Sequence, residues 1–221
     1  MPNPINLDQR LSLCADFVRV GAKLADIGTD HAYLPVKLAL DGKIESAIAA
    51  DINAEPLSRG TETIKKYGAE HIVSTKLCDG LCDFKANEVS DIVIAGMGAD
   101  TIIGIISAAD WLKNENVRLI LQPMTKSERV IEYLYQNGFE IIEQKCCIAE
   151  SKPYTVMCVS FTGHKSPCTE YFAYTGKLCP EEFEDDRTFL RRQVAILTKR
   201  SAADSRFETL AQQIKERIDS V

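Results

Sequence analysis

The stretch KLADIGTDHAYLP, residues 23–35, carries an apolar run into a helical pattern through one glycine, and its reading decides the fold. Residues 23–28 have the character of a buried strand, and the positions from Ala32 onward have helical spacing. Gly28 lets the backbone at this turn pass close to a bound nucleotide, and the helix start beyond it offers unpaired N–H groups. The full G-x-G-x-x-G of a dinucleotide site is missing, because Asp30 and Ala32 stand where further glycines would lie. A carboxylate in that loop repels a pyrophosphate and welcomes a cation such as a sulfonium.

Outward from this unit the same alternation recurs. Strands are expected at 46–52, 72–77, 90–96 and 118–123, separated by helical patterns, three of which close on Gly42, Gly68 and Gly138. The segment ADTIIGIISAADWL, 99–112, reads as one crossover helix. After the fifth strand, 139–150 and 153–163 read as two strands joined by Ser151 and Lys152, a hairpin with no helix between them. Ahead of the sheet, 6–18 reads as a helix with Asn6 as its N-cap and Leu7, Leu11 and Cys14 on one face. From Gly163 the pattern becomes loop-like and then helical. Leu190, Val194 and Leu197, then Phe207, Leu210, Ile214 and Val221, give a helical hairpin whose second helix opens on a Ser205–Glu208 capping box. One continuous helix is the alternative. The expectation is an α/β protein: a Rossmann-like sheet of parallel strands ending in an antiparallel hairpin over residues 1–162, and a small C-terminal helical, coiled-coil-like domain over 163–221.

Composition agrees with a folded chain. Of 221 residues 45% are hydrophobic and 26% charged, which excludes intrinsic disorder and low-complexity classes. No apolar run approaches the ~20 residues of a membrane helix, and the start lacks a basic stretch followed by an apolar core, so a soluble, cytoplasmic protein is expected. The eight cysteines lie mostly within apolar runs and read as reduced core thiols. No CxxC occurs and His31, His71 and His164 stand alone, so no metal is expected. Residues 187–217 hold eight Lys or Arg against three Asp or Glu, a net +5 on a chain whose total is −6. Such a cluster is either a solvated helix surface or a face for a phosphate backbone.

Candidate site residues gather at the carboxyl ends of the expected strands, where ligands bind in doubly wound sheets. Asp51 ends the second strand, where an acid commonly takes ribose hydroxyls; capping the next helix is the alternative. Asp79 and Gly80 follow the third strand, as an adenine-facing acid or as an ordinary Asp-Gly turn. Gly96 and Gly98 admit a planar substrate to the backbone, and Met97, Gln122 and Pro123 line the same mouth unless they are plain packing or strand-end residues.

Three strands ending in acids, with the terminal hairpin, resemble the class I S-adenosylmethionine-dependent methyltransferases. LADIGTDHAYLP, AADIN, CDGL, IVIAGMGAD and LILQP, in this order and spacing, resemble more narrowly the bacterial tRNA adenine-N1 methyltransferases that modify position 22 in the D-stem. That resemblance implies S-adenosylmethionine as cofactor, contacted by Asp26, Gly28, Asp51, Asp79, Gly80 and Gly96, with Asp30 and His31 nearest the reacting atoms. It implies tRNA as partner, with Tyr33 or Met97 stacking on an extruded adenine and Arg191, Arg192, Lys199 and Arg200 available to the backbone. A monomer or weak dimer without an obligatory protein partner is expected. The competing readings are a methyltransferase of the same fold acting elsewhere, a nicotinamide-dependent oxidoreductase, which Asp30 and the hairpin disfavour, and a non-catalytic RNA-binding protein.

Overall fold

The computed structural model describes residues 3–220, and its framework is one seven-stranded sheet. Helix α1 (Gln9–Phe17) precedes β1 (Ala22–Ile27), α2 (Tyr33–Leu40), β2 (Ile44–Asp51), α3 (Ala54–Tyr67) and β3 (Val73–Leu77). Then come β4 (Asp91–Gly98), α4 (Ala99–Ser107), β5 (Arg118–Thr125), α5 (Ser127–Gln136), β6 (Phe139–Ala149) and β7 (Lys152–Phe161). The strand order is β3-β2-β1-β4-β5-β7-β6, with β1 to β5 parallel and β7 antiparallel to both neighbours. This is the Rossmann-like sheet with a terminal hairpin that the sequence pattern implies.

The central strands β1, β4 and β5 are apolar on both sides because both faces are covered. Ile92, Ile94, Leu119 and Leu121 face one core, built with Ile102 of α4 and Ile131 and Leu134 of α5. Val93 and Ile120, one residue out of step, face the other core with Cys14 of α1, Leu34 and Leu38 of α2 and Ile64 of α3. The α1 end is tied down by Asp91, fully buried at the start of β4, which accepts from the Arg19 backbone N–H and Nε, both at 2.8 Å.

Several local expectations are corrected. The N-cap of α1 is Asp8, not Asn6, because the Asp8 carboxylate reaches the Leu11 N–H at 2.9 Å. The hairpin turns through Glu150 and Ser151, both at positive φ, so Lys152 already belongs to β7. The α4 helix stops at Ser107, and a separate 3-10 turn covers Asp110–Leu112.

Beyond the sheet lie α6 (Glu170–Thr175), α7 (Glu184–Arg200) and α8 (Arg206–Asp219). The first is a short helix where only loop was expected. The other two are separate helices, a hairpin rather than one rod. Ser205 is itself helical in φ and ψ and makes no capping bond; Asp204 instead takes the Arg206 N–H at 3.1 Å. Leu190, Leu197, Phe207, Leu210 and Ile214 form a third core that reaches Cys146 on β6, while Val221 lies outside the described residues. Asp186, buried in the first turn of α7, fixes this attachment by accepting from the backbone N–H groups of Cys146 at 3.1 Å and Cys179 at 2.8 Å.

Asp186→Ala leaves two amides without an acceptor at ~1–3 kcal/mol each, so urea denaturation should show a loss of about 2–4 kcal/mol. Asp186→Asn, which keeps one acceptor oxygen, should lose less.

Candidate functional site

The order of the strands reverses between β1 and β4, and the carboxyl ends of these strands are where ligands bind in such sheets. Asp26 sits near the end of β1 and is 7% exposed. The chain then leaves the sheet, with the Gly28 and Thr29 N–H groups donating to the Ala50 carbonyl at 2.8 and 3.0 Å. Thr29 accepts the Ala32 N–H at 3.1 Å, and Ala32 itself lies at φ +53 as α2 begins. Helix α3 presses on this loop at Gly60, where a Cβ would stand 3.3 Å from that of Ala32.

Gly28 lies at φ +77°, a conformation L side chains rarely adopt, and a Cβ there would also stand 2.1 Å from Met97 Cε, so that the flexible end of Met97 would have to move. The tips of β1 and β4 therefore touch through Met97, which is partly buried against the sheet core. Gly96, at φ +77 and exposed, has open space where a Cβ would be. Asp51 closes β2, and its Oδ1 accepts the Asn53 N–H at 2.7 Å, so one oxygen serves the turn ahead of α3 and the other stays free. Asp79 is exposed just beyond β3, with Gly80 at φ +55 beside Ile105. Asp26 and Asp51 thus lie on neighbouring strands β1 and β2, and Asp79 follows the next strand, β3.

Burial pushes the Asp26 carboxyl up to about 6; a Thr29 hydrogen bond opposes this and the Asp51 charge adds to it. Asp30 is exposed and ion-paired, its Oδ1 taking Arg59 Nη2 of α3 at 2.6 Å and its Oδ2 lying 3.4 Å from His31 Nε2. Arg59 also holds Glu55 at 2.9 Å, and its own Nε is buried without a partner. His31 stacks on Tyr33, ring centroids 5.1 Å apart and planes 12° apart, and Tyr33 is exposed. Arg59 carries no sequence signal, since its partner is 29 residues away on another element.

The remaining candidates divide. Gln122 is fully buried and so does not line the mouth. Pro123 pairs in register with Met97 and lies at one end of a groove of about 620 Å³ between the β5–α5 edge and the C-terminal helices. Arg192 and Arg200 reach this groove, together with Arg206 of the same basic cluster and Lys126, which sequence reasoning missed. Arg191 lies outside it, on the far side of α7 at 100° per residue, and pairs with Glu184 at 2.9 Å. Lys199 is exposed and outside the groove lining. Among the described residues no group of three or more His, Cys, Asp or Glu comes together to hold a metal ion, and no helix is long and apolar enough to cross a membrane. All eight cysteines are unbridged.

A doubly wound sheet with a glycine turn and acids at its switch point is the frame of a nucleotide-cofactor enzyme, and here the terminal hairpin narrows the class. Residues 7–157 match the family described as Methyltransferase domain, and the chain belongs to that family. It is 35% identical over 155 residues to the tRNA (adenine(22)-N(1))-methyltransferase of Bacillus subtilis (strain 168), a match covering 70% of this chain and 65% of that protein. Two solved structures resemble it along nearly its whole length. The Bacillus subtilis tRNA methyltransferase TrmK is 27% identical with a TM-score of 0.81, covering 97% of each chain. A Streptococcus pneumoniae protein solved in complex with S-adenosyl-L-methionine is 28% identical with a TM-score of 0.84, covering 96% of this chain and 100% of that one.

The position of Asp26 has a measurable cost. Well below pH 3.8 the group is protonated in folded and unfolded chains alike. Between 3.8 and about 6 the unfolded chain ionises first, so stability from this group falls as pH rises, by ~3 kcal/mol at roughly 1.4 kcal/mol per unit. Urea denaturation from pH 4 to 7 should therefore show Asp26→Asn gaining on the wild type as pH increases.

Proposed function

We propose that this protein transfers a methyl group from S-adenosylmethionine to N1 of an adenine in the D-stem of tRNA, the adenine at position 22. The observation that supports this reading most is the approach of Met97 to Gly28, beside Asp26 and Gly96, at the switch point of a methyltransferase-family sheet. The similarity to the Bacillus subtilis enzyme supports the substrate.

The residues suit the cofactor. Open space at Gly96 admits a ligand to the backbone, and Asp26 and Asp51 offer acids to a cationic donor and its ribose. When bound, S-adenosylmethionine supplies the methyl group on a sulfonium. Asp26, Gly28, Asp51, Asp79, Gly80 and Gly96 are assigned to holding it.

Adenine N1 has a free lone pair in the ring plane, so the chain's main task is alignment, worth up to ~7–11 kcal/mol in favourable cases. The base must leave its stem to expose N1, which costs a few kcal/mol. Tyr33, stacked on His31 and exposed, offers it a surface. Positive charge develops on the purine as the methyl arrives. Asp30, exposed beside that surface, accepts hydrogen from the exocyclic amino group and stabilises the charge, and Arg59 fixes its orientation. His31 is assigned to holding the base.

The groove lined by Arg192 and Arg200, with Lys126 and Arg206, is assigned to the tRNA backbone. Residues 1–162 then form the catalytic unit and 163–221 a helical unit that completes the RNA surface. Arg191, held by Glu184 away from the groove, and Lys199 beside it are more distant reserves of charge.

Mapping the modified nucleotide in unmodified tRNA incubated with protein and donor tests the whole reading: one N1-methyladenosine in the D-stem is expected, and transfer only to metabolites or another site overturns it. Asp30→Ala should lower kcat on the order of 100-fold while changing tRNA affinity less than about threefold. Arg192→Ala with Arg200→Ala should raise KM for tRNA and flatten its salt dependence by roughly 1.5 in log–log slope, at ~0.7–0.9 per phosphate contact.

A further inference from the structure

Gln122 is the one mouth residue that sequence reasoning placed on the substrate and that the structure buries completely. Its surroundings give it a different task. In the parallel pairing of β4 with β5, Ala95 lies opposite Gln122 and Met97 opposite Pro123, so Gly96 is an extra residue bulged out of the ladder. A bulge leaves a backbone N–H without its strand partner, and an unpaired amide shielded from water is costly. Gln122 supplies the missing acceptor: its Oε1 receives the Gly96 N–H at 3.1 Å.

The amide is held in one orientation from both sides. Its Nε2 donates to the Pro123 carbonyl at 3.0 Å, and Arg10 Nη1 approaches Oε1 at 3.5 Å and the Met124 sulfur at 3.2 Å. A flipped amide would turn its NH2 toward two donors, Gly96 N–H and Arg10. Arg10 is steadied in turn by Asp8 at 2.6 Å and by the Tyr154 ring, 5.4 Å from its guanidinium carbon. A chain of contacts thus runs from the first turn of α1 through Gln122 to Gly96, and Gly96 adjoins Met97, whose methyl lies over Gly28.

We propose that Gln122, clamped by Arg10, is a positioning residue for methyl transfer: it fixes the Gly96–Met97 bulge that forms the wall between donor and acceptor base. This rests on the methyl-transfer reading above. Gln122 has no exposed surface, so its effect passes through the backbone of Gly96, and Arg10, whose side chain is 23% exposed, acts on Gly96 through the Gln122 oxygen it approaches.

The test is a kinetic cycle of Gln122→Leu, Arg10→Ala and the double variant on unmodified tRNA, with thermal denaturation of each. Gln122→Leu should lower kcat by roughly 10–100-fold with KM for tRNA changed less than about threefold, because alignment is lost and binding is kept. Arg10→Ala should lower kcat by about 3–10-fold, and the double variant should be no slower than Gln122→Leu alone, because residues acting through one another are not additive. Gln122→Glu, which keeps an oxygen toward Gly96 and Arg10 but replaces the donor to the Pro123 carbonyl, should fall between wild type and Gln122→Leu. Losses that multiply in the double variant, a wild-type kcat in Gln122→Leu, or a change confined to KM for tRNA would each overturn the proposal. If Gln122→Leu does not fold, an unchanged kcat in Arg10→Ala overturns it and the stated loss supports it. Wild-type protein that fails to methylate tRNA defeats the functional reading; wild type that methylates beside an equally fast Gln122→Leu defeats this inference alone.

Discussion

Everything at the candidate site depends on the contact between β1 and β4, two parallel neighbours whose chains leave the sheet toward opposite faces. After β1 the chain joins α2 on the side of Leu34 and Leu38; after β4 it joins α4 on the side of Ile102. A crevice at that divergence is a consequence of topology, before any side chain is specified. Little separates the two tips: one methionine methyl rests over a glycine whose positive φ disfavours a side chain. Any larger residue at 28, or a β4 without its bulge, would fill or displace the crevice.

The charge pattern follows the same geometry. An acidic crevice adjoins a mixed but locally basic groove through β5, whose Pro123 lies opposite Met97 in register. A chain of net charge −6 can face a polyanion where cations locally outnumber acids, as in this groove, where Lys126, Arg129, Arg192, Arg200 and Arg206 stand against Glu128, Glu132 and Glu170. Cation–aromatic contacts help order that face: the guanidinium of Arg200 lies 3.9 Å from the Phe207 ring centroid, which ties α7 to α8 where the two helices meet.

The sheet was legible in the sequence because its strands are buried on both faces and appear as apolar runs, such as 118–123, closed by glycines or turn residues. The ends of elements were less so. Asp8 displaced Asn6 as the cap because the choice depends on where the chain enters the helix, and Glu150 and Ser151 form the hairpin turn without the glycine that usually marks it. Helix α6 has six residues, too few to show a period. Within the site, the glycines and strand-end acids were visible as types at spacings. Arg59 and Arg10 were not, since their partners lie 29 and 112 residues away and only the packing of α3 and α1 brings them together. The same limit explains Gln122: a polar residue at a strand end reads as a ligand until the bulge beside it shows which N–H it must satisfy.

Asp26 and Asp30 show how one turn gives two carboxylates different physics. Asp26 has lost its water, and burial holds its proton to about pH 6, whereas Asp30 keeps solvent and a guanidinium partner. Charge in the first environment is costly to create and strongly felt by whatever lies beside it, because little water remains to screen it. Any cation that settles next to Asp26 favours its ionised form, so binding of a cationic ligand and release of a proton from this group are coupled by linkage. Asp30, screened and already paired, contributes direction rather than a deep electrostatic well. A site that must hold a cation in its floor and meet a neutral base at its rim is served by that division, and it arises from a single difference: Asp26 is still within the strand, and Asp30 has left it.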